Sequence, residues 1–107
     1  MGKEGNVSDA LPGGVKLAPK TTFKKPKMYR VIIYNDDYTS MEFVVQVLIT
    51  IFDKAAAEST RIMLDVHKKG KGVCGVYTYD IAMTKIKQVH FDAQKEGFPL
   101  RCGYEEA

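Results

Sequence analysis

Two adjacent carboxylates and an amide, Asn35, Asp36 and Asp37, stand in the stretch YNDDYTSMEF. As part of a turn they are ordinary, because Asn and Asp side chains hydrogen-bond to nearby backbone groups. A calcium loop is not indicated, since such loops need acids at alternating positions and a later Glu. A catalytic acid pair is also disfavoured, because neighbours in sequence usually point apart. These residues alone therefore favour a loop and leave ligand binding open.

A second candidate group is Met63, Val66 and His67, whose spacing places an imidazole beside two apolar side chains on one helix face. A histidine on such a face is more often a packed or hydrogen-bonded residue than a ligand. His90 is remote in sequence and the cysteines stand at no recognisable ligand spacing, so no metal site is predicted. By themselves these residues favour a structural role for His67.

The two cysteines, Cys74 and Cys102, give little indication of catalysis. Cys74 lies in the run GVCGV, which is typical of a small buried side chain. A thiol nucleophile also needs a positioned base, and the sequence supplies no sign of one. Two cysteines are too few for a disulfide framework, which fits a cytoplasmic protein with reduced thiols. We expect no catalytic residue, cofactor or metal.

The elements that would position these residues can be predicted from periodicity and capping signals. Apolar residues from Lys27 to Tyr34 predict a first strand, and NDDY would be its exit loop. Thr39 with Glu42 three residues later matches a capping box, in which each side chain bonds a backbone amide across the first turn. A helix should therefore begin there and run to about Phe52.

Similar capping and periodicity signals predict the elements of the second half of the chain. A second helix, capped by Asp53, should run from Ala55 to about Lys69 and stop at Gly70. The remaining elements are a strand over residues 72–77, a third helix capped by Thr78 and ended by Gly97, and a final strand over residues 100–104. The order β-α-α-β-α-β predicts a small α+β fold, with a three-stranded antiparallel sheet packed against three helices.

The charge is unevenly distributed along the chain of 107 residues. Residues 1–27 contain six lysines and two acids, whereas the rest contains ten basic and eleven acidic residues. Prolines, glycines and lysines dominate residues 1–26, which predicts a flexible basic extension before a core domain of residues 27–107. Nucleic-acid binding by the nearly neutral domain is not expected. No membrane segment or signal peptide is predicted, so we expect a cytoplasmic monomer.

Three separated stretches resemble the ClpS family of bacterial Clp protease adaptors. They are MYRVIIYNDDYTSMEFVVQVL, MLDVHKKGKGVCGVYTYDIAMTK and FPLRC, in order from about residue 27 to 102. The resemblance implies that the chain captures proteins whose first residue is Leu, Phe, Tyr or Trp. Such an N-terminal signal is called an N-degron. It also implies delivery of these proteins to the N-terminal domain of the ClpA unfoldase of ClpAP.

The resemblance further implies roles for individual residues. Asn35, Asp36 and His67 would bind the α-amino group of the substrate, whose charge needs converging acceptors. Met41 would exclude the β-branched Ile and Val. The side-chain pocket as a whole would comprise Asp37, Thr39, Met41, Val44, Met63, Val66 and Leu100.

The resemblance also assigns Asp80 and Lys85 to unfoldase docking, although both would otherwise be taken as solvated helix charges. Ser40 departs from the family pattern, in which Pro is frequent before the Met. The main alternative is a small interaction module, such as a ribosomal stalk-like domain whose basic tail contacts RNA. That alternative gives no reason for Asn35, Asp36 and His67 to accompany a Met-lined pocket.

Overall fold

A computed structural model describes residues 25–107 of the chain. Within these residues three helices and three strands follow one another in the predicted order, so the predicted α+β fold is confirmed. The predicted extension, residues 1–26, lies outside the described residues except for its last two, which are exposed and irregular. The elements are β1 (Met28–Tyr34), α1 (Met41–Thr50), α2 (Ala56–Lys69), β2 (Lys71–Thr78), α3 (Tyr79–Glu96) and β3 (Arg101–Glu106).

The strand β1 lies at the centre of the sheet, in the order β2-β1-β3, and pairs antiparallel with both neighbours. This position explains its continuous apolar run. Val31 and Ile33 belong to the core cluster, and Ile32, whose side chain points to the other face, is only 1% exposed. The second face is covered only in part, since Val73 of β2, which pairs with Ile32, is 44% exposed.

The helices contribute their apolar stripes to one core. The apolar stripe of α1 packs into this core, and α2 and α3 supply the remaining helical side chains. None of the helices within residues 25–107 is long and apolar enough to cross a membrane. The most buried helical core residues are Val44, Val47, Leu48, Ile62, Val66, Ala82, Val89 and Ala93.

Two of the residues predicted to cap helices form no capping hydrogen bond. Asp53 is in the left-handed region at φ 56° and does not cap α2, whose N-cap is Ala55 without a side-chain hydrogen bond. Thr78 is at the N-cap of α3, as predicted, but its hydroxyl accepts no capping hydrogen bond. By contrast, Gly70 and Gly97 end α2 and α3 with positive φ angles, as their positions indicate.

Gly72 is a packing residue of β2 rather than a turn residue. A Cβ atom at this position would lie 2.8 Å from Val66 Cγ2 and 3.2 Å from the Ile62 carbonyl oxygen. The first distance is shorter than real Cβ contacts and the second is tighter than most of them, so glycine lets α2 approach the strand this closely. The close approach fixes the position of Val66, which also lines the cavity described below.

A side chain of α3 hydrogen-bonds to the outer strand β3. The backbone N–H of Cys102 donates to His90 Nε2 at 3.1 Å. Cys102 is the second residue of β3 and lies opposite Ile33 of β1, so the histidine covers the β3 backbone near the start of the strand. Covering an edge strand in this way removes a backbone donor that would otherwise be free to pair with another chain.

Candidate functional site

The loop between β1 and α1 is organised by the Asp36 carboxylate. Its Oδ1 accepts hydrogen bonds from the backbone N–H groups of Tyr38, at 2.8 Å, and Thr39, at 2.7 Å. Its Oδ2 accepts a hydrogen bond from the Thr39 hydroxyl at 2.7 Å. Three hydrogen bonds on one carboxylate explain why an acid stands here, because they fold the chain into a tight turn before the helix.

The predicted capping box between Thr39 and Glu42 is therefore wrong. The Thr39 hydroxyl donates its hydrogen bond to Asp36. The N-cap of α1 is the next residue, Ser40, whose Oγ accepts from the Phe43 N–H at 3.1 Å. Ser is favoured over Thr as an N-cap, but only Thr39 has a Glu three residues later, so the capping-box pattern indicated the wrong residue. Ser40, which stands where the family frequently has Pro, thus supplies the hydroxyl that caps α1.

The hydrogen bonds also keep Asp36 ionised. Partial burial of the carboxyl acts to raise its pKa, but the bonds from the Thr39 hydroxyl, the Thr39 amide and the Tyr38 amide outweigh burial and lower the pKa below its usual value. A carboxylate has about four acceptor positions, and three are occupied by the loop itself. Asp36 therefore retains its negative charge and about one free acceptor position for a ligand.

A backbone hydrogen bond joins this loop to the end of α2. The N–H of Asn35 donates to the carbonyl of Gly70 at 2.9 Å, three residues beyond His67. The loop and the C-terminal turn of α2 are thereby held side by side. The side chains of Asn35 and His67 are both exposed and make no hydrogen bond to any other residue within 25–107. Two polar groups from distant parts of the sequence are thus adjacent and available to a ligand.

A cavity of about 250 Å³ lies between the loop, the first turn of α1 and the last turns of α2. Its volume is below the range of about 300–1,000 Å³ that is usual for drug-sized ligands and cofactors, so it suits one large side chain. Val44 and Val66 are 6% and 3% exposed, whereas Met41 is 46% exposed at the opening. The lining residues are Asn35, Asp36, Asp37, Thr39, Met41, Val44, Met63, Val66 and His67.

The structure brings together all but one of the residues predicted to bind the α-amino group or to form the side-chain pocket. The exception is Leu100, which is 4% exposed in the hydrophobic core and does not line this cavity. Its place just before β3, under the helices, is that of a packing residue. The roles predicted for the nine lining residues remain predictions, although their convergence is a property of the fold.

The two predicted docking residues lie elsewhere, on α3. Asp80 is exposed in the first turn, where its charge favours the helix N-terminus. Lys85 is half-buried, and its Nζ donates to the backbone carbonyl of Ile51 at 2.7 Å. The same ammonium lies 5.8 Å from the ring centroid of Phe52 and 5.3 Å from that of Tyr77. Lys85 therefore makes intramolecular contacts that no sequence signal indicated, and its predicted docking role stays a prediction.

The cysteines lack the properties of nucleophiles. Cys74 is 0% exposed and Cys102 is 7% exposed. Burial raises the pKa of the Cys74 thiol far above its ordinary value, and it raises that of Cys102 to about 12. A thiol acts as a nucleophile through its thiolate, so neither residue supplies one at neutral pH.

Residues 24–103 match the family model described as "ATP-dependent Clp protease adaptor protein ClpS". The chain belongs to the ClpS family. It is 68% identical over 82 residues to the ATP-dependent Clp protease adapter protein ClpS of Syntrophus aciditrophicus, covering 77% of each chain. It is 64% identical over 91 residues to the ClpS of Acetivibrio thermocellus, covering 85% of this chain and 92% of the relative. The family's description as adaptors of the Clp protease places the chain among proteins that interact with Clp protease components and substrates.

A solved member of the ClpS family has the same fold. The structure of Agrobacterium tumefaciens ClpS2 bound to L-phenylalaninamide superposes with a TM-score of 0.75. The two sequences are 38% identical, and the match covers 78% of this chain and 100% of the other. The small α+β domain predicted from the sequence is thus the fold of a ligand-binding ClpS protein.

Proposed function

We propose that this chain is a non-enzymatic adaptor that binds the first residue of N-degron proteins, namely Leu, Phe, Tyr or Trp. The observation that carries the proposal is the cavity, because its lining combines polar side chains with buried apolar side chains. Asn35 and His67 line it with side chains that make no hydrogen bond to another described residue, and the buried Val44 and Val66 supply apolar lining. A protein N-terminus has the matching chemistry, with a cation next to a single side chain.

The acceptors fit an ammonium group better than any neutral ligand. A free α-amino group has a pKa of about 7.7–8.0, so it is mostly cationic at neutral pH and has three N–H donors. The Asn35 side chain offers a carbonyl oxygen and a neutral His67 offers a ring nitrogen, while ionised Asp36 supplies negative charge and one free acceptor position. Asp36 acts mainly through its charge or through a water molecule, because the loop uses most of its oxygen lone pairs.

The phenylalaninamide bound by Agrobacterium tumefaciens ClpS2 has the same chemistry. This compound carries a free α-amino group and an aromatic side chain, and it lacks a carboxylate. Its binding by a relative that is 38% identical supports the same ligand class for this chain. The exposed Met41 at the cavity opening is suited to exclude Ile and Val, because a branch at Cβ meets the opening first.

The delivery step is part of the same proposal. We expect the chain to act as a cytoplasmic monomer that brings its substrate to the N-terminal domain of the ClpA unfoldase, with Asp80 and Lys85 at the contact. Their location on α3 keeps them away from the lining of the cavity, so one molecule can hold both partners. An Asp80→Lys variant should lose binding to the isolated ClpA domain and keep peptide affinity.

The direct test is a pair of fluorescent peptides that begin with Phe and differ only in acetylation of the α-amino group. Acetylation removes the charge and leaves Asn35 and His67 without a cationic partner. Hydrogen bonds to charged groups contribute about 1.5–3 kcal/mol each, so two lost bonds should weaken binding by about a hundredfold or more.

The matched variants lie in the same loop. Asn35→Ala should weaken binding of the free peptide, whereas Tyr38→Ala should not, because Tyr38 is 79% exposed and does not line the cavity. Fluorescence anisotropy gives both affinities. Equal affinity for the free and acetylated peptides would refute the proposal.

A further inference from the structure

The ammonium of Lys85 contacts a backbone carbonyl and two aromatic rings that lie outside its own helix. Its Nζ donates to the Ile51 carbonyl at 2.7 Å and lies over the rings of Phe52 and Tyr77. These two rings also contact each other, with their centroids 6.2 Å apart. A lysine that needed only solvent would extend away from the helix, so this geometry identifies a specific intramolecular partner.

The partner is the C-terminal end of α1. Carbonyl groups at this end of a helix have no intrahelical donor, and the helix dipole makes the end negative. The last turn of α1 contains no basic residue of its own, and Ile51 is its C-cap. Lys85 therefore supplies from α3 the cation that α1 lacks.

The end of α1 is also the turn of a helical hairpin. From Ile51 the chain passes through Asp53, in the left-handed conformation, to the start of α2 at Ala56. The two arms of this hairpin form opposite walls of the cavity. Met41 and Val44 come from α1, and Met63, Val66 and His67 come from α2. Fixing the turn thus fixes the relative position of the two walls.

We infer that Lys85 is a positioning residue for the ligand cavity, acting through the α1–α2 turn without touching the ligand. This inference rests on the proposed function of the cavity, and it gives Lys85 a role that is independent of docking to an unfoldase. Removing the ammonium leaves the Ile51 carbonyl without its donor and frees the turn. The walls then hold the first side chain of the substrate less closely, and affinity falls even when no unfoldase is present.

The test compares Lys85→Met with Lys87→Met in peptide titrations without any unfoldase. Methionine keeps the unbranched apolar stem and removes the charge. Lys87 is an exposed lysine of the same helix that makes no hydrogen bond or ion pair to any residue from 25 to 107. We expect Lys85→Met to weaken binding of a Phe-initiated peptide by about threefold or more, and Lys87→Met to leave it unchanged.

Unchanged affinity in folded Lys85→Met, or an equal loss in both variants, would overturn the inference and leave the proposed function intact. No binding by the unaltered chain would refute the proposed function and the inference together. Circular dichroism checks that each variant is folded.

A second measurement needs no substitution. Coupling is reciprocal, so bound peptide must stabilise the turn if the turn stabilises the bound peptide. The amides of Ile51 and Lys54, which donate to Val47 and Leu48, should exchange with deuterium more slowly when the Phe-initiated peptide is present. The Phe98 amide at the end of α3 is the reference. Equal slowing at all three amides would contradict the inference, even if Lys85→Met failed to fold.

Discussion

Replacing Asp36 by Ala should destabilise the domain, because three hydrogen bonds converge on this carboxylate. The donors are the Tyr38 amide, the Thr39 amide and the Thr39 hydroxyl, at 2.7 or 2.8 Å. Hydrogen bonds to charged groups contribute about 1.5–3 kcal/mol each when buried, but this loop is half-exposed and water can replace part of the loss. We therefore expect a decrease of about 2 kcal/mol in the free energy of unfolding.

Urea denaturation followed by circular dichroism measures this loss. A domain of this size has a urea m-value of about 1–2 kcal/mol per molar, so the midpoint should fall by about 1–2 M. The control is Asp37→Ala, since Asp37 is the neighbouring acid of the same loop, is exposed, and makes no hydrogen bond to another described residue. Equal midpoints for the two variants at pH 7 would refute the assignment of Asp36 as the organiser of the loop.

The same pair of variants makes a prediction about pH. The pKa of Asp36 is lowered in the folded state, so its contribution is present above the ordinary Asp pKa of about 3.9 and is lost as the pH falls through the lower folded value. The difference in stability between the unaltered chain and Asp36→Ala should therefore shrink below about pH 4. A difference that stayed constant into strong acid would show that the charge of the carboxylate does not matter.

Three further changes test other parts of the structure. Met41→Ala should admit peptides that begin with Ile or Val and retain binding of Phe, because the opening of the cavity widens; unaltered discrimination in the anisotropy assay would reject Met41 as the gate. Ser59→Ala should stabilise the domain by about 1 kcal/mol in urea denaturation, since its hydroxyl is fully buried without a hydrogen-bond partner among the described residues. A lower midpoint would mean that the hydroxyl has a partner. His90→Ala should destabilise the domain by about 1 kcal/mol and speed exchange of the Cys102 amide, which loses its acceptor; unchanged exchange would contradict that role.

The fold could be predicted from the sequence because its signals are local. The apolar run of β1, the helical stripes, and the glycines that end α2 and α3 each act within a few residues. The N-caps were less predictable, because Thr39 and Ser40 are adjacent and both residue types are common at N-caps. The choice depends on Asp36, which takes the Thr39 hydroxyl and leaves Ser40 to cap the helix.

The sequence by itself determined which residue types are present at the site, and the family resemblance indicated that they belong together. Only the tertiary structure decided how they meet. A backbone bond from Asn35 to Gly70 brings the loop to His67, and the missing side chain of Gly72 lets Val66 pack against β2. It also decided the partner of Lys85, because the fold brings the lysine of α3 to the carbonyl of Ile51, 34 residues away in the sequence. Contacts of this kind leave no local pattern, since their energy depends on a distance that the folded chain alone sets.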